Sequence, residues 1–191
     1  TGTLPTGIRY YIKKNLKPEK RAELRLAVNA GSILETDNQL GLAHFVEHTA
    51  FNGTKHFPKH DLVSFLESLG MRFGADVNAG TGFVETVYTV TVPTDKPEVL
   101  DRAFLILEDW AHHVSFDRDE IEKERGVVME EWRLRRGAGA RISVRVLPII
   151  HKDSRYADRV PIGNTEVIRT FTRERLTQFY ADWYRPNLMA V

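Results

Sequence analysis

The sequence predicts an α+β domain, a mainly antiparallel sheet packed against helices. Residues 24–28 and 84–92 are rich in Val, Leu, Thr and Tyr and alternate as half-buried strands do. Several longer stretches instead repeat their apolar residues at helical spacing. The two kinds are mixed in order, with hairpin-like and helix-pair stretches, and do not follow strict β-α-β alternation. With 191 residues, 42% of them hydrophobic, the chain can bury the core of a single domain over 1–191.

The elements follow in order. Residues 8–12 are a short aromatic and β-branched run, read as a strand, and 24–28 form a second, closed by Ala30-Gly31. Residues 40–51 have helical spacing and stop at Asn52-Gly53. After Pro58, the residues Leu62, Phe65, Leu66 and Leu69 mark an amphipathic helix ended by Gly70. Residues 71–82 are glycine-rich and read as irregular, with a short strand around Arg72-Phe73. Residues 84–92 are the strongest strand in the chain, closed by Pro93.

Residues 99–114 are helical. Asp117 with Glu120 three residues on resembles a capping box and opens a helix to about Arg136. A further helix covers 141–150, and 153–164 is a polar loop with Pro161 and Gly163. Thr172 is a good N-cap for a helix through Phe179 to Tyr184, with Pro186 beyond its end. Phe104, Trp110, Phe179, Trp183 and Tyr184 are expected to pack in the core or between helices.

A net charge of +1 gives no global electrostatic case for nucleic-acid or membrane binding, and no apolar run is long enough to span a bilayer. Cysteine is absent, so disulfides and thiolate metal sites are excluded. The turn-rich start at Thr1-Gly2-Thr3 and the apolar run beginning at Leu188 suggest a piece of a longer protein, cut before its last strand or strands.

His44-Phe45-Val46-Glu47-His48 carries the chemistry. On a helix, residues three and four apart share a face, so His44, Glu47 and His48 project together. Two imidazoles at that spacing can hold Zn²⁺, and the carboxylate between them can take a proton from an activated water. The order H-x-x-E-H reverses the commoner zinc-protease motif. A catalytic zinc usually takes a third protein ligand, which here must be His or a carboxylate. Of Glu120, Glu122, Glu124, Glu130 and Glu131, helical phase places Glu124 and Glu131 on the inward stripe with Ile121, Val127 and Val128. Buried acids need a cation or a donor. Phase alone leaves open which of the two is the ligand.

Other polar clusters have plainer readings. His112-His113 lies near a helix end, where the dipole favours it. In His56-Phe57-Pro58-Lys59-His60, Pro58 breaks the helix that would align the rings, so the segment reads as loop and N-cap. Arg133, Arg135, Arg136, Arg141 and Arg145 read as a solvated face, with a partner surface as the alternative.

His44-Phe45-Val46-Glu47-His48 followed by Glu124-Arg125-Gly126-Val127-Val128-Met129-Glu130-Glu131 resembles the pitrilysin/insulinase family of inverzincin metallopeptidases. Asn78-Ala79 leading into Thr86-Val87-Tyr88, Pro161-Ile162-Gly163, and the run from Phe179 to Leu188 agree with it. The interval between His48 and Glu131 is somewhat long for the family. The resemblance implies one zinc per domain on His44, His48 and Glu131, Glu124 orienting the site from outside, and Glu47 as general base toward a metal-activated water. It implies that Asn78 and Ala79 hold an extended substrate by backbone pairing. It further implies an endopeptidase for peptides or small unfolded proteins, working with a second homologous domain in the same or another chain. A bacterial periplasmic setting is preferred over the cytoplasm. The competing readings are a non-catalytic homologue serving as a structural or peptide-binding subunit, and a bare zinc- or peptide-binding module. The presence of all four of His44, Glu47, His48 and Glu131 argues against the non-catalytic homologue.

Overall fold

A computed structural model describes residues 1–191. Six strands form one sheet: β1 (Gly2–Thr3), β2 (Arg9–Tyr10), β3 (Arg21–Val28), β4 (Val77–Thr81), β5 (Thr86–Pro93) and β6 (Met189–Ala190), in the order β1-β2-β6-β3-β5-β4. Only the β2–β6 pair is parallel. Seven α-helices accompany it: α1 (Leu42–Thr49), α2 (Asp61–Ser68), α3 (Pro97–His112), α4 (Arg118–Leu134), α5 (Ala138–Ile150), α6 (Thr165–Thr170) and α7 (Arg173–Trp183). The α+β expectation holds.

The sheet is built on the β3–β5 pair, which runs from Arg21 opposite Pro93 to Val28 opposite Thr86. Period-two alternation buries Leu24, Leu26 and Val28 on one face with Tyr88, Val90 and Val92, and leaves Glu23 and Arg25 in water. Helices cover the buried face. Trp110 of α3 is fully buried, stacks on Tyr88 at 5.2 Å, and donates its indole N–H to the Ala50 carbonyl at the end of α1. A buried side chain of this size contributes about 3 kcal/mol to the packing beneath α1.

Several expectations shift. β4 forms inside the stretch read as irregular, while Arg72-Phe73 makes only an isolated bridge from Phe73 to Val77. Asn78, Gly80 and Gly82 lack strand propensity; pairing with β5 overrides it. The six-residue α6 falls in a segment that carried no assignment, and Asn164 caps it. Asp117 caps α4 through the Asp119 and Glu120 N–H groups, while the Glu120 carboxylate turns to Lys123 at 2.7 Å. Phe104 is 50% exposed and Val127 52% exposed, so neither joins the core, whereas Ile121 and Val128 do. Phe104 and Val127 lie at the margin of their apolar stripes, where about 100° per residue of helix rotation turns a side chain outward.

The start of α1 is over-determined. Gly41 takes a left-handed φ of +101° and lies against Gly163, where a Cβ would come within 2.3 Å of the Gly41 Cα. The buried carboxylate of Glu35 accepts the N–H groups of Gly41 (2.9 Å) and Ala43 (2.8 Å), two donors that the helix itself cannot satisfy. Arg155 and Arg159, from the polar loop before α6, donate to the Glu35 carbonyl. The first turn of α1, and with it His44, is thereby held from outside the helix.

Candidate metal centre

α1 presents His44, Glu47 and His48 on one face, as the i, i+3, i+4 spacing requires, and α4 packs alongside and brings Glu124 and Glu131 to them. His44 Nε2 and His48 Nε2 are 3.1 Å apart. Glu131 Oε2 lies 3.5 Å from the first and 3.3 Å from the second. These residues are the one group of three possible ligands that converges in the chain.

The donor set fits zinc. Bonds of about 2.0–2.1 Å in a tetrahedral array put neighbouring ligand atoms roughly 3.3 Å apart, and the three separations bracket that value. Glu131 Oε2 is buried and has no hydrogen-bond partner. Its sister oxygen, Oε1, is taken by the Arg135 guanidinium. His48 Nδ1 faces Glu124 Oε1 at 2.7 Å, so the ring proton sits there and Nε2 turns a lone pair inward. Lone pairs converging on one point repel unless a cation lies between them.

The electrostatics divide the two histidines. Burial pushes His44 down to about 3, with the charges of His48 and Arg135 adding to the effect, so its ring is neutral and ready to ligate. Burial also lowers His48, but the hydrogen bond and charge of Glu124, helped by Glu47 and Glu131, outweigh it and raise the net value. Burial opposes ionisation of Glu124, yet its hydrogen bonds from His48 and from Asn52 (2.5 Å) hold it below the usual carboxylate range. Glu124 therefore stands behind the His48 ring, while Glu131 faces the two Nε2 atoms; helical phase alone does not separate them.

Glu47 shares the α1 face of His44 and His48, feels the charges of His48 and Glu131, and is within ion-pair distance of neither histidine. It is 8% exposed, and burial raises its pKa against the opposing hydrogen bond from Thr81. Thr81 Oγ1 donates to Glu47 Oε2 at 2.7 Å. Asn78 and Ala79 lie in β4, the edge strand, whose outer side is paired only at Val77, by the bridge to Phe73. The Ala79 N–H is covered by Asn78 Oδ1 at 3.0 Å, so an added strand would take that donor over from a side chain.

Four contributing residues were not singled out as parts of the site beforehand: Glu35, Asn52, Thr81 and Arg135. Asn52 stood only as a helix stop, Thr81 lay in the glycine-rich stretch, and Arg135 belonged to the cluster read as solvated. The spacing of Arg135 four residues after Glu131 was the one available signal. The other histidines do not converge. His56 gives Nδ1 to Asp109 at 2.7 Å, His60 is the N-cap residue of α2, and His113 stands 3.9 Å from Glu108.

Residues 10–137 match the model of a protein family described as insulinase (peptidase family M16). The chain is 42% identical over 190 residues to the "Probable zinc protease PqqL" of Haemophilus influenzae, and 45% identical over 190 residues to the "Zinc protease PQQL-like" of Arabidopsis thaliana. In both cases the whole of this chain aligns with 20% of the relative, so it spans about a fifth of their length. The crystal structure of the periplasmic protease PqqL from Escherichia coli superposes with a TM-score of 0.95 at 42% identity, over 99% of this chain and 21% of that one.

Proposed function

The chain belongs to the insulinase family of peptidases, family M16, and on that premise we propose that residues 1–191 form the catalytic domain of a zinc endopeptidase acting on peptides or small unfolded proteins. The observation that carries this reading is the convergence of His44 Nε2, His48 Nε2 and the unpartnered Glu131 Oε2 on one point. When bound, zinc supplies a Lewis acid that acidifies water and polarises a carbonyl.

The chain's own residues do the rest. His44, His48 and Glu131 hold the ion. Glu124, steadied by Asn52, fixes the His48 ring and its tautomer. Glu47 takes the proton of the attacking water and returns it to the leaving amine. The free edge of β4 at Asn78 and Ala79 receives an extended backbone. Because backbone pairing reads side chains weakly, selectivity falls to neighbouring pockets and to a second homologous domain, which the greater length of the relatives leaves room for. The E. coli relative's description as periplasmic supports the same compartment for this protein.

The test is Glu47→Gln in the full-length protein. Cleavage of a quenched peptide, blocked by phenanthroline in the parent, is expected to fall by about 10²–10⁴-fold, with zinc stoichiometry unchanged. Undiminished turnover removes Glu47 from the base role. A zinc-free, inactive parent would favour the non-catalytic, peptide-binding reading.

A further inference from the structure

Thr81 ends β4, where its register partner is Thr86 of β5. Strand alternation sends its side chain the same way as those of Val77 and Ala79, toward α1, while Asn78 and Gly80 face outward. Its hydroxyl reaches Glu47 Oε2 at 2.7 Å. A second acceptor, Thr86 Oγ1, stands 3.4 Å away. Thr86 is fully buried and gives its only proton to the Ala30 carbonyl at 2.8 Å. A threonine hydroxyl has one proton to donate, and the shorter distance assigns that of Thr81 to Glu47.

The turn that follows Thr81 is pinned. Ser32 N–H donates to the Gly82 carbonyl at 3.1 Å and Ile33 N–H to the Phe83 carbonyl at 2.9 Å. Gly31 makes this approach possible, since a Cβ there would meet both carbonyl oxygens at 2.5 Å. Thr81 is thus a donor on a braced strand end, aimed at one oxygen of a buried carboxylate.

We propose that Thr81 is the positioning residue for Glu47: it ties Oε2, leaves Oε1 to meet the attacking water, and so registers the base against the strand that receives the substrate. This rests on the reading of Glu47 as general base. Peptide addition to β4 and orientation of the carboxylate then share one rigid element. A scissile bond aligned by that edge arrives in register with the base, which matters because a misplacement of about 1 Å can cost about 10²-fold in rate.

Thr81→Val keeps the shape and removes the hydroxyl; Thr81→Ser keeps the hydroxyl. In the full-length protein Thr81→Val is expected to lower kcat by about 10- to 100-fold with little change in KM. Thr81→Ser should stay close to the parent, and zinc affinity by chelator competition should be unchanged in both. In a Glu47→Gln background Thr81→Val should cost nothing further, because the residue acts through Glu47. A crystal structure of Thr81→Val should show the Glu47 carboxylate rotated or in more than one orientation, a readout that does not depend on turnover. Unchanged kcat, a defect in KM alone, a Thr81→Ser variant as impaired as Thr81→Val, or an unmoved Glu47 carboxylate overturns the inference. If Glu47→Gln is inactive and Thr81→Val is not, the inference about Thr81 alone fails. If Glu47→Gln retains parental turnover, the reading of Glu47 fails with it.

Discussion

Two polar clusters, each setting histidine beside an acid, behave in opposite ways. In the α1–α4 group, His44, His48 and Glu131 turn atoms toward one point, and Glu131 Oε2 is left without a partner. In the other, around the loop after α1, His56, Asp109 and Thr54 satisfy one another. Asp109 is fully buried and accepts from Thr54 Oγ1 (2.5 Å), His56 N (2.9 Å) and His56 Nδ1 (2.7 Å). One group has spent its hydrogen-bonding capacity on the fold, and the other has kept some in reserve. Composition does not distinguish them. Residual, inward-facing lone pairs do, because a buried acceptor without a donor is stable only beside a cation or proton.

Removing one histidine from each group is the most forceful test of that contrast. His48→Ala is expected to reduce bound zinc to background by metal analysis, whereas His56→Ala should keep full occupancy; equal loss in both would erase the distinction. Next in size is Glu124→Ala, which should weaken zinc by about 10- to 100-fold in chelator competition through loss of ring orientation. An unchanged affinity would make Glu124 a bystander. Asp109→Ala, from the self-satisfied group, should instead lower unfolding stability by about 2–3 kcal/mol in denaturant titration while zinc affinity holds, since buried donors lose their acceptor.

The smallest expected effect concerns Glu35, whose burial pushes its carboxyl up to about 8 against the hydrogen bonds from Gly41 and Ala43. A folded pKa raised above the unfolded value favours the protonated native form. The stabilisation is therefore full below the ordinary carboxylate value of 4.5 and is lost as pH rises through about 8. Glu35→Gln forfeits one acceptor, about 1 kcal/mol, and its deficit against the parent should shrink between pH 5 and pH 9 in thermal unfolding. A deficit constant with pH would place the Glu35 carboxyl in one protonation state throughout.

Much of the site was legible in advance, and for a local reason. His44, Glu47 and His48 share a face because helical periodicity puts them there, and the same arithmetic set Ile121, Glu124, Val128 and Glu131 inward on α4. Phase misjudged Val127 because an apolar stripe has margins that only a neighbour defines. β4 escaped because its residues have weak strand propensity and its pairing comes from β5. Glu35 and Arg159 escaped for a further reason: Arg159 reaches the Glu35 carbonyl from far along the chain, and the Glu35 carboxylate seats Gly41 and Ala43 at a spacing that no helix or strand period announces.

By itself the sequence determined the fold class, the strands β3 and β5, the cap of α4, and the helix face that carries His44, Glu47 and His48. All of these follow from backbone periodicity and hydrogen bonds a few residues long. Only the tertiary structure showed Glu131 facing the imidazoles with Glu124 behind His48, which helical phase leaves open, and Thr81 reaching Glu47. Those contacts join elements far apart in the chain. They are fixed by how the cores of α1, α4 and the sheet pack together, which no local pattern encodes.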